Sequence, residues 1–242
     1  MSFILKEKLI SQGIQSEIEI GEWDGKPAIR KISGKGLNKR ELDTVANAVN
    51  PYRDNLQRVG VDVPRNHQVS RVNGTVETID EFISGELVYD SAKHGSLSGW
   101  YKMLHSVLCA DGGQTFVDAK PQNYIENNGK AIYIDTFPPM LRHHDDISPW
   151  IQALYKRDRK MMAFNFGDIR GQTTKMLSLA KRENPQYYQE IAIKTLEFLN
   201  GKIPQSDWLY ICEQVERGFP DMNEMYANPD NAKKVVYRIK TK

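Results

Sequence analysis

The sequence predicts an α+β fold with a β-rich N-terminal part and a mostly helical C-terminal part. In the first 82 residues, short stretches alternate apolar and polar side chains and are separated by Asp-Gly or Asn-Gly pairs, a pattern typical of antiparallel hairpins. Beyond residue 137, apolar residues recur at helical spacing between prolines and glycines. We therefore expect two domains, residues 1–83 and residues 84–242.

The composition is that of an ordinary globular protein. Hydrophobic residues make up 40% of the 242 residues and charged residues 26%, which suffices for a substantial core. The net charge of +2 gives no general attraction to nucleic acid or to acidic membranes, so we expect neither as a partner. Because no apolar run is long enough to span a bilayer and the N-terminal segment lacks a signal-peptide layout, we expect a cytoplasmic protein. Cys109 and Cys212 are expected to pack as small hydrophobic side chains.

Three strands are predicted within residues 1–33. The first covers residues 3–10, and isoleucines alternate with glutamates in the second, around residues 17–22. The pair Asp24-Gly25 predicts a tight turn into a third strand at residues 26–32. Taken alone, this pattern fits any β-meander.

The next segment predicts one helix and a second hairpin. Asn38 should cap a helix with one apolar face, and Pro51 should break or restart it. Residues 67–82 predict two more strands joined by Asn73-Gly74, which gives five strands in all. Further helices are predicted at residues 96–110, 147–164, 173–182, 186–200 and 206–217.

The residues with the clearest chemical potential lie between residues 116 and 137. Asp118 and Asn123 fall in a loop, and the turn Asn127-Asn128-Gly129 leads into a strand that ends at Asp135. Such a hairpin holds these side chains at one end of a small sheet, where their oxygens can converge. Carboxylate and carboxamide oxygens bind hard cations such as Mg²⁺. The arrangement therefore suits a hydroxyl nucleophile and a metal-bound phosphate.

This segment resembles the catalytic loop and the metal loop of the protein-kinase-like superfamily. That signature has an Asp base, a Lys two residues later, an Asn five residues later and then a DFG motif. The corresponding residues here are Asp118, Lys120, Asn123 and Asp135-Thr136-Phe137. The usual His-Arg pair is replaced by Phe116-Val117 and the DFG glycine by Pro138, as is common in small-molecule kinases of the superfamily. In style the chain is closest to aminoglycoside-phosphotransferase-like and choline-kinase-like enzymes.

The resemblance implies a bilobal protein-kinase-like fold, with a five-stranded N-lobe at residues 1–83 and a helical C-lobe beyond it. It implies that ATP and Mg²⁺ bind between the lobes. Asp118 would be the catalytic base, and Lys120 would offset charge on the transferred phosphoryl group. Asn123 and Asp135 would be the Mg²⁺ ligands.

The resemblance also implies a lysine that holds the α- and β-phosphates of ATP. The segment Ala28-Ile29-Arg30-Lys31 matches the VAIK motif, which favours Lys31. Arg30, on the opposite face of the strand, is the alternative. Glu41 would form an ion pair with Lys31, or would simply complement the dipole at the first turn of its helix.

Two further segments of the N-lobe are implied to contact the nucleotide. The short polar loop at residues 12–16, with Gln12 and Gly13, would cover the phosphates, although it has one glycine fewer than the usual glycine-rich loop. The segment that follows the second hairpin resembles the hinge between the lobes, where backbone groups near Glu81 and Ile83 would bind adenine.

The expected function is ATP- and Mg²⁺-dependent transfer of the γ-phosphoryl group to a hydroxyl of a small molecule. A protein acceptor is less favoured because no APE-type motif closes an activation segment between Phe137 and Trp150. The alternatives are a protein kinase, a nucleotide-binding pseudokinase or scaffold, and an interaction protein whose motif is accidental. The residues leave the oligomeric state open.

Overall fold

The computed structural model describes residues 2–9, 16–110, 115, 117–137 and 168–217. These residues form an α+β structure with a five-stranded sheet, a three-stranded sheet and six helices. The strands are β1 Phe3–Leu9, β2 Ser16–Trp23, β3 Lys26–Ser33, β4 Asn66–Val72, β5 Thr75–Glu81, β6 Glu86–Leu87, β7 Tyr124–Asn127 and β8 Lys130–Tyr133. The helices are α1 Lys39–Arg58, α2 Val88–Lys93, α3 Ser98–Ala110, α4 Ile169–Glu183, α5 Tyr188–Leu199 and α6 Gln205–Glu216.

The five predicted N-terminal strands are confirmed as one antiparallel sheet in the order β1-β2-β3-β5-β4. The smaller sheet has the order β6-β7-β8 and contains the predicted hairpin before Asp135. Three hairpins turn on Asp24-Gly25, Asn73-Gly74 and Asn128-Gly129, and φ is positive at both residues of each pair. Two consecutive positive φ values match the right-handed twist of the flanking strands, which explains why these pairs marked the turns in the sequence.

Helix α1 begins as predicted but is not broken at Pro51. Asn38 and Glu41 form a capping box, in which each side chain accepts a hydrogen bond from the backbone N–H of the other. The helix continues through Pro51 to Arg58, so the predicted break is wrong. Val49 and Tyr52, on either side of the proline, are both buried, and their packing holds the two halves together.

Helix α1 connects the two main hydrophobic clusters. Its first half packs with Val76 of β5 and with Phe137, the residue two positions after Asp135. Its second half, through Tyr52 and Leu56, joins a larger cluster built mainly from α3, β7, β8 and the C-terminal helices. The segment after Asp135 is therefore fixed against α1 and the large sheet.

The C-terminal helices mostly follow the predicted pattern. Helices α3 to α6 confirm four predicted helices to within a few residues, whereas α2 was not predicted. The helix expected at residues 147–164 lies outside the described residues. Cys109 and Cys212 are half-buried free thiols, as expected. None of the described helices is both long enough and apolar enough to cross a membrane.

Candidate functional site

The loop that carries Asp118 is held from two sides. The backbone N–H of Asp118 donates a hydrogen bond to the hydroxyl oxygen of Tyr133 at 3.0 Å. The next N–H, of Ala119, donates to Oε1 of Gln172 in helix α4 at 3.1 Å. Asp118 is only 2% exposed. The small sheet and α4 therefore fix the position of this carboxylate within the protein.

The structure places the side chain of Asn123 beside the backbone of Asp118 and the carboxylate of Asp135. Nδ2 of Asn123 donates to the carbonyl oxygen of Asp118 at 3.1 Å and lies 3.4 Å from Oδ2 of Asp135. The backbone N–H of Ile134 donates to the carbonyl oxygen of Asn123 at 2.8 Å, which ties the loop to the end of the hairpin. A 3₁₀ turn at Pro121–Asn123 shapes the chain between the two acidic residues. The loop and the short hairpin therefore place Asn123 between the backbone of Asp118 and the carboxylate of Asp135.

Two lysines flank the carboxylate of Asp118. Nζ of Lys175, in helix α4, lies 2.7 Å from Oδ1, and Nζ of Lys120 lies 3.5 Å from Oδ2. Lys120 was predicted to lie here. Lys175 was not, because it is 57 residues distant in the chain and belongs to no recognisable motif.

Lys31 extends from strand β3 to the segment around Asp135. Its Nζ donates a hydrogen bond to the carbonyl oxygen of Ile134 and lies 3.5 Å from Oγ1 of Thr136. Arg30 lies on the opposite face of the strand, where it forms an ion pair with Glu19 and stacks on the ring of Phe3. Of the two cationic candidates, the structure brings Lys31 to the loop.

The expected ion pair between Lys31 and Glu41 is not formed. Glu41 lies in the first turn of α1, where its carboxylate caps the N–H of Asn38, in line with the simpler of the two sequence interpretations. The counter-ion of Lys31 is instead Asp80 of β5, with 3.3 Å between Nζ and Oδ2. No sequence pattern pointed to Asp80, because the pairing depends on the register of β3 and β5, which are neighbours in the sheet but distant along the chain.

Asp80 also binds a second cation. Its Oδ1 lies 2.6 Å from Nη2 of Arg53 in α1. The same Nη2 donates a hydrogen bond to Oγ1 of Thr136 at 2.5 Å. The same guanidinium donates to the carbonyl oxygen of Pro64 at 3.0 Å. Burial lowers the pKa of Arg53, and the charge of Asp80 opposes that shift. This buried network of Lys31, Asp80, Arg53 and Thr136 links α1 and the large sheet to the residue next to Asp135.

The remaining predicted contacts with the nucleotide are described in part. Gln12 and Gly13 lie outside the described residues. Glu81 is exposed, and its backbone N–H donates to the carbonyl oxygen of Arg65 at 2.9 Å. Within the described part of the chain, the backbone N–H and C=O of Ile83 form no hydrogen bond. Ile83 therefore offers backbone groups at the expected hinge, whereas the N–H of Glu81 is already engaged.

Tyr124 is fully buried near Asp118 and Asp135. Its ring lies 5.1 Å from the ring of Tyr133, centroid to centroid. Complete burial raises its pKa well above the usual value, and the negative charges of Asp118 and Asp135 add to this effect. The phenol is therefore neutral at physiological pH, and its buried hydroxyl forms no hydrogen bond with the described residues.

The donor set fits Mg²⁺ better than it fits a metal enclosed by protein ligands. No group of three His, Cys, Asp or Glu side chains among residues 2–9, 16–110, 115, 117–137 and 168–217 could hold a metal ion. Asn123 and Asp135 supply two oxygen-bearing side chains, and Oδ1 of Asn123 accepts no hydrogen bond from another described residue. Mg²⁺ is commonly held by one or two such side chains together with water and substrate phosphates.

Comparison of the chain with protein-family models and with curated proteins found no match.

Proposed function

We propose that this protein is an ATP- and Mg²⁺-dependent phosphotransferase of the protein-kinase-like type, which moves the γ-phosphoryl group to a hydroxyl of a small molecule. The observation that supports the proposal is the position of Asn123, which contacts the backbone of Asp118 and the carboxylate of Asp135, together with the ammonium group of Lys31, which binds the backbone next to Asp135. Phosphoryl transfer uses carboxylate and amide groups to bind Mg²⁺ and to accept a proton, and an ammonium group to bind phosphate. Its catalysis depends mainly on positioning and electrostatics.

In this proposal the large sheet and α1 form an N-lobe at residues 1–83, and the remaining residues form a C-lobe. ATP lies between them, with adenine at the hinge near Glu81 and Ile83 and the phosphates under the loop that contains Gln12 and Gly13. Lys31 holds the α- and β-phosphates. Its hydrogen bond to the carbonyl oxygen of Ile134 supports this role, because it places the cation next to the metal-binding residue Asp135.

Asn123 and Asp135 would hold Mg²⁺, which when bound neutralises charge on the phosphate oxygens. Asp118 accepts the proton of the acceptor hydroxyl, while that oxygen forms a bond to the γ-phosphorus and the bond from the γ-phosphorus to the bridging oxygen of ADP breaks. Lys120, 3.5 Å from Asp118, offsets the negative charge of the phosphoryl group in transit.

A second candidate is a nucleotide-binding protein that does not catalyse phosphoryl transfer. One observation favours it: the carboxylate of Asp118 is already paired with Lys175. A protein that only binds nucleotide would tolerate such pairing, since it needs no proton acceptor. A protein kinase is the remaining alternative.

Transfer can be tested directly with ATP radiolabelled at its γ-phosphate and a panel of hydroxylated small molecules. We expect label in a small-molecule product with the wild-type protein and a fall in turnover of about 100-fold or more with Asp118→Asn, with ATP binding retained. Asp90→Asn is a matched control, because Asp90 forms a partly exposed ion pair with Lys93 in α2. Mg²⁺-dependent ATP binding without transfer would favour the second candidate. Equal turnover by wild type and Asp118→Asn would remove Asp118 as the base.

A further inference from the structure

Lys175 of helix α4 is a buried lysine that has no role in the proposed steps of phosphoryl transfer. The side chain of Lys175 is 5% exposed and that of Asp118 is 2% exposed, and their charged groups are 2.7 Å apart. A buried ammonium group is costly unless it is paired, so a lysine at this position requires the carboxylate.

Helix α4 contacts the loop at two successive residues, Asp118 and Ala119. Gln172 accepts the hydrogen bond of the Ala119 N–H, and Lys175 binds the side chain of Asp118. Gln172 and Lys175 are three positions apart and so lie on one face of the helix. The helix therefore fixes both the backbone of the loop and the carboxylate that projects from it.

We propose that Lys175 is a positioning residue for Asp118, an inference that rests on the proposed phosphotransferase function. The ion pair holds Oδ1 and thereby sets the rotation of the carboxylate. Oδ2, on the side of Lys120, is then the oxygen presented to the acceptor hydroxyl. Lys175 acts through Asp118 and does not itself contact the reacting atoms.

A positioning role affects kcat and KM differently. Lys175→Met removes the ammonium group and keeps a long side chain, so the carboxylate of Asp118 loses its fixed rotation. We expect kcat to fall about 10- to 100-fold, because small misplacements of a catalytic group cost rates of this order. The KM for ATP should stay within about twofold of wild type, since the proposed role places the buried Lys175 in contact with Asp118 and not with ATP. Lys175→Arg keeps the charge and should recover most of the lost kcat.

The effect of Lys175 should also depend on Asp118. In an Asp118→Asn background, Lys175→Met should lower kcat by less than about threefold, because residues that act as one unit are not additive. Lys181→Met is a matched control on the same helix, since Lys181 forms an exposed ion pair with Glu216. That control should leave kcat unchanged in both backgrounds.

The experiment measures kcat, KM for ATP and Tm for wild type, Asp118→Asn, Lys175→Met, Lys175→Arg and the double variant. If Lys175→Met does not fold, Lys175→Gln replaces it and keeps a donor for Oδ1. A lower kcat that Lys175→Arg restores, together with non-additivity in the double variant, supports the inference. Wild-type kcat in a folded Lys175→Met protein, or an equal further loss in the Asp118→Asn background, overturns it and leaves the transferase proposal intact. A wild-type protein without transfer activity overturns both.

Discussion

Nζ of Lys31 lies 3.3 Å from Oδ2 of Asp80, so the lysine of strand β3 takes its counter-ion from the neighbouring strand β5 and not from helix α1. Helix α1 contributes a cation instead, Arg53, which binds the other oxygen of the same carboxylate. One anion therefore balances two buried cations. Lys31 is thus held by the carboxylate of Asp80 and by the carbonyl oxygen of Ile134.

Asp80→Asn should destabilise the protein strongly. The substitution leaves Lys31 and Arg53 buried without their shared counter-ion, which should lower the free energy of unfolding by about 3–5 kcal/mol. Urea unfolding measures the change. Asp43→Asn is a suitable control, because its pair with Arg71 is exposed and should contribute less than about 1 kcal/mol. Similar losses in the two variants would show that the buried network does not stabilise the fold.

Lys31→Met should remove the thermal stabilisation that Mg²⁺-ATP gives to the wild-type protein. Lys31 lies beside Asp135 and is proposed to hold the phosphates, so its loss should weaken nucleotide binding by about tenfold or more. Arg30→Met should retain the ligand-induced rise in Tm, because Arg30 faces Glu19. The rise is measured relative to each variant's own Tm without nucleotide. The opposite result would assign the phosphate contact to Arg30.

The two neighbouring tyrosines should respond differently to loss of their hydroxyl groups. The hydroxyl of Tyr133 accepts the N–H of Asp118, so Tyr133→Phe leaves a buried donor unpaired and should cost about 1–3 kcal/mol in the free energy of unfolding. The hydroxyl of Tyr124 is buried and has no hydrogen-bond partner in the described part of the chain, so Tyr124→Phe should be neutral or stabilising. Both values come from urea unfolding at neutral pH. An equal loss in Tyr124→Phe would contradict the geometry described for this pair.

Stability in acid should depend on Glu19 of strand β2. Burial alone would raise the pKa of Glu19, but hydrogen bonds and charges from Arg30 and Lys8 outweigh it and hold the pKa below its usual value. Glu19 therefore contributes stability at neutral pH. As the pH falls, protonation of the unfolded chain begins near the ordinary glutamate pKa of about 4.3, and the contribution is lost by the lower pKa of the folded state.

Glu19→Gln provides the comparison for this pH dependence. The difference in free energy of unfolding between wild type and Glu19→Gln should be largest at neutral pH and should shrink as the pH falls below about 4. Denaturant unfolding across this range measures the difference. A difference that stays constant from neutral pH to strongly acidic pH would show that the pKa of Glu19 is not lowered by folding.

The parts of the fold that were predictable depend on neighbours in the sequence. The turns at Asp24-Gly25 and Asn73-Gly74 require positive φ, which those residue pairs adopt readily. The cap at Asn38 depends on a residue three positions away. The meeting of Asn123 and Asp135 follows from one short hairpin. In each case a few adjacent residues determine the geometry.

The parts that were missed depend on contacts between distant elements. Lys175 reaches Asp118 only because α4 packs against the loop that carries Asp118, and Asp80 reaches Lys31 through strand register. The polar residues of α4 also conceal the burial of its first turns, since Gln172, Thr173, Thr174 and Lys175 are all buried although their types favour the surface. Tertiary packing also decides the structure at Pro51, because it keeps α1 continuous where local preference favours a break.

The most direct test of the proposed site is a crystal structure of the wild-type protein with Mg²⁺ and a non-hydrolysable ATP analogue. We expect a cation bound by Asn123 and Asp135, the α- and β-phosphates beside Lys31, and the γ-phosphate facing Asp118 and Lys120. An analogue bound elsewhere on the protein, or a cation that does not contact Asn123 and Asp135, would contradict the proposed phosphotransferase site.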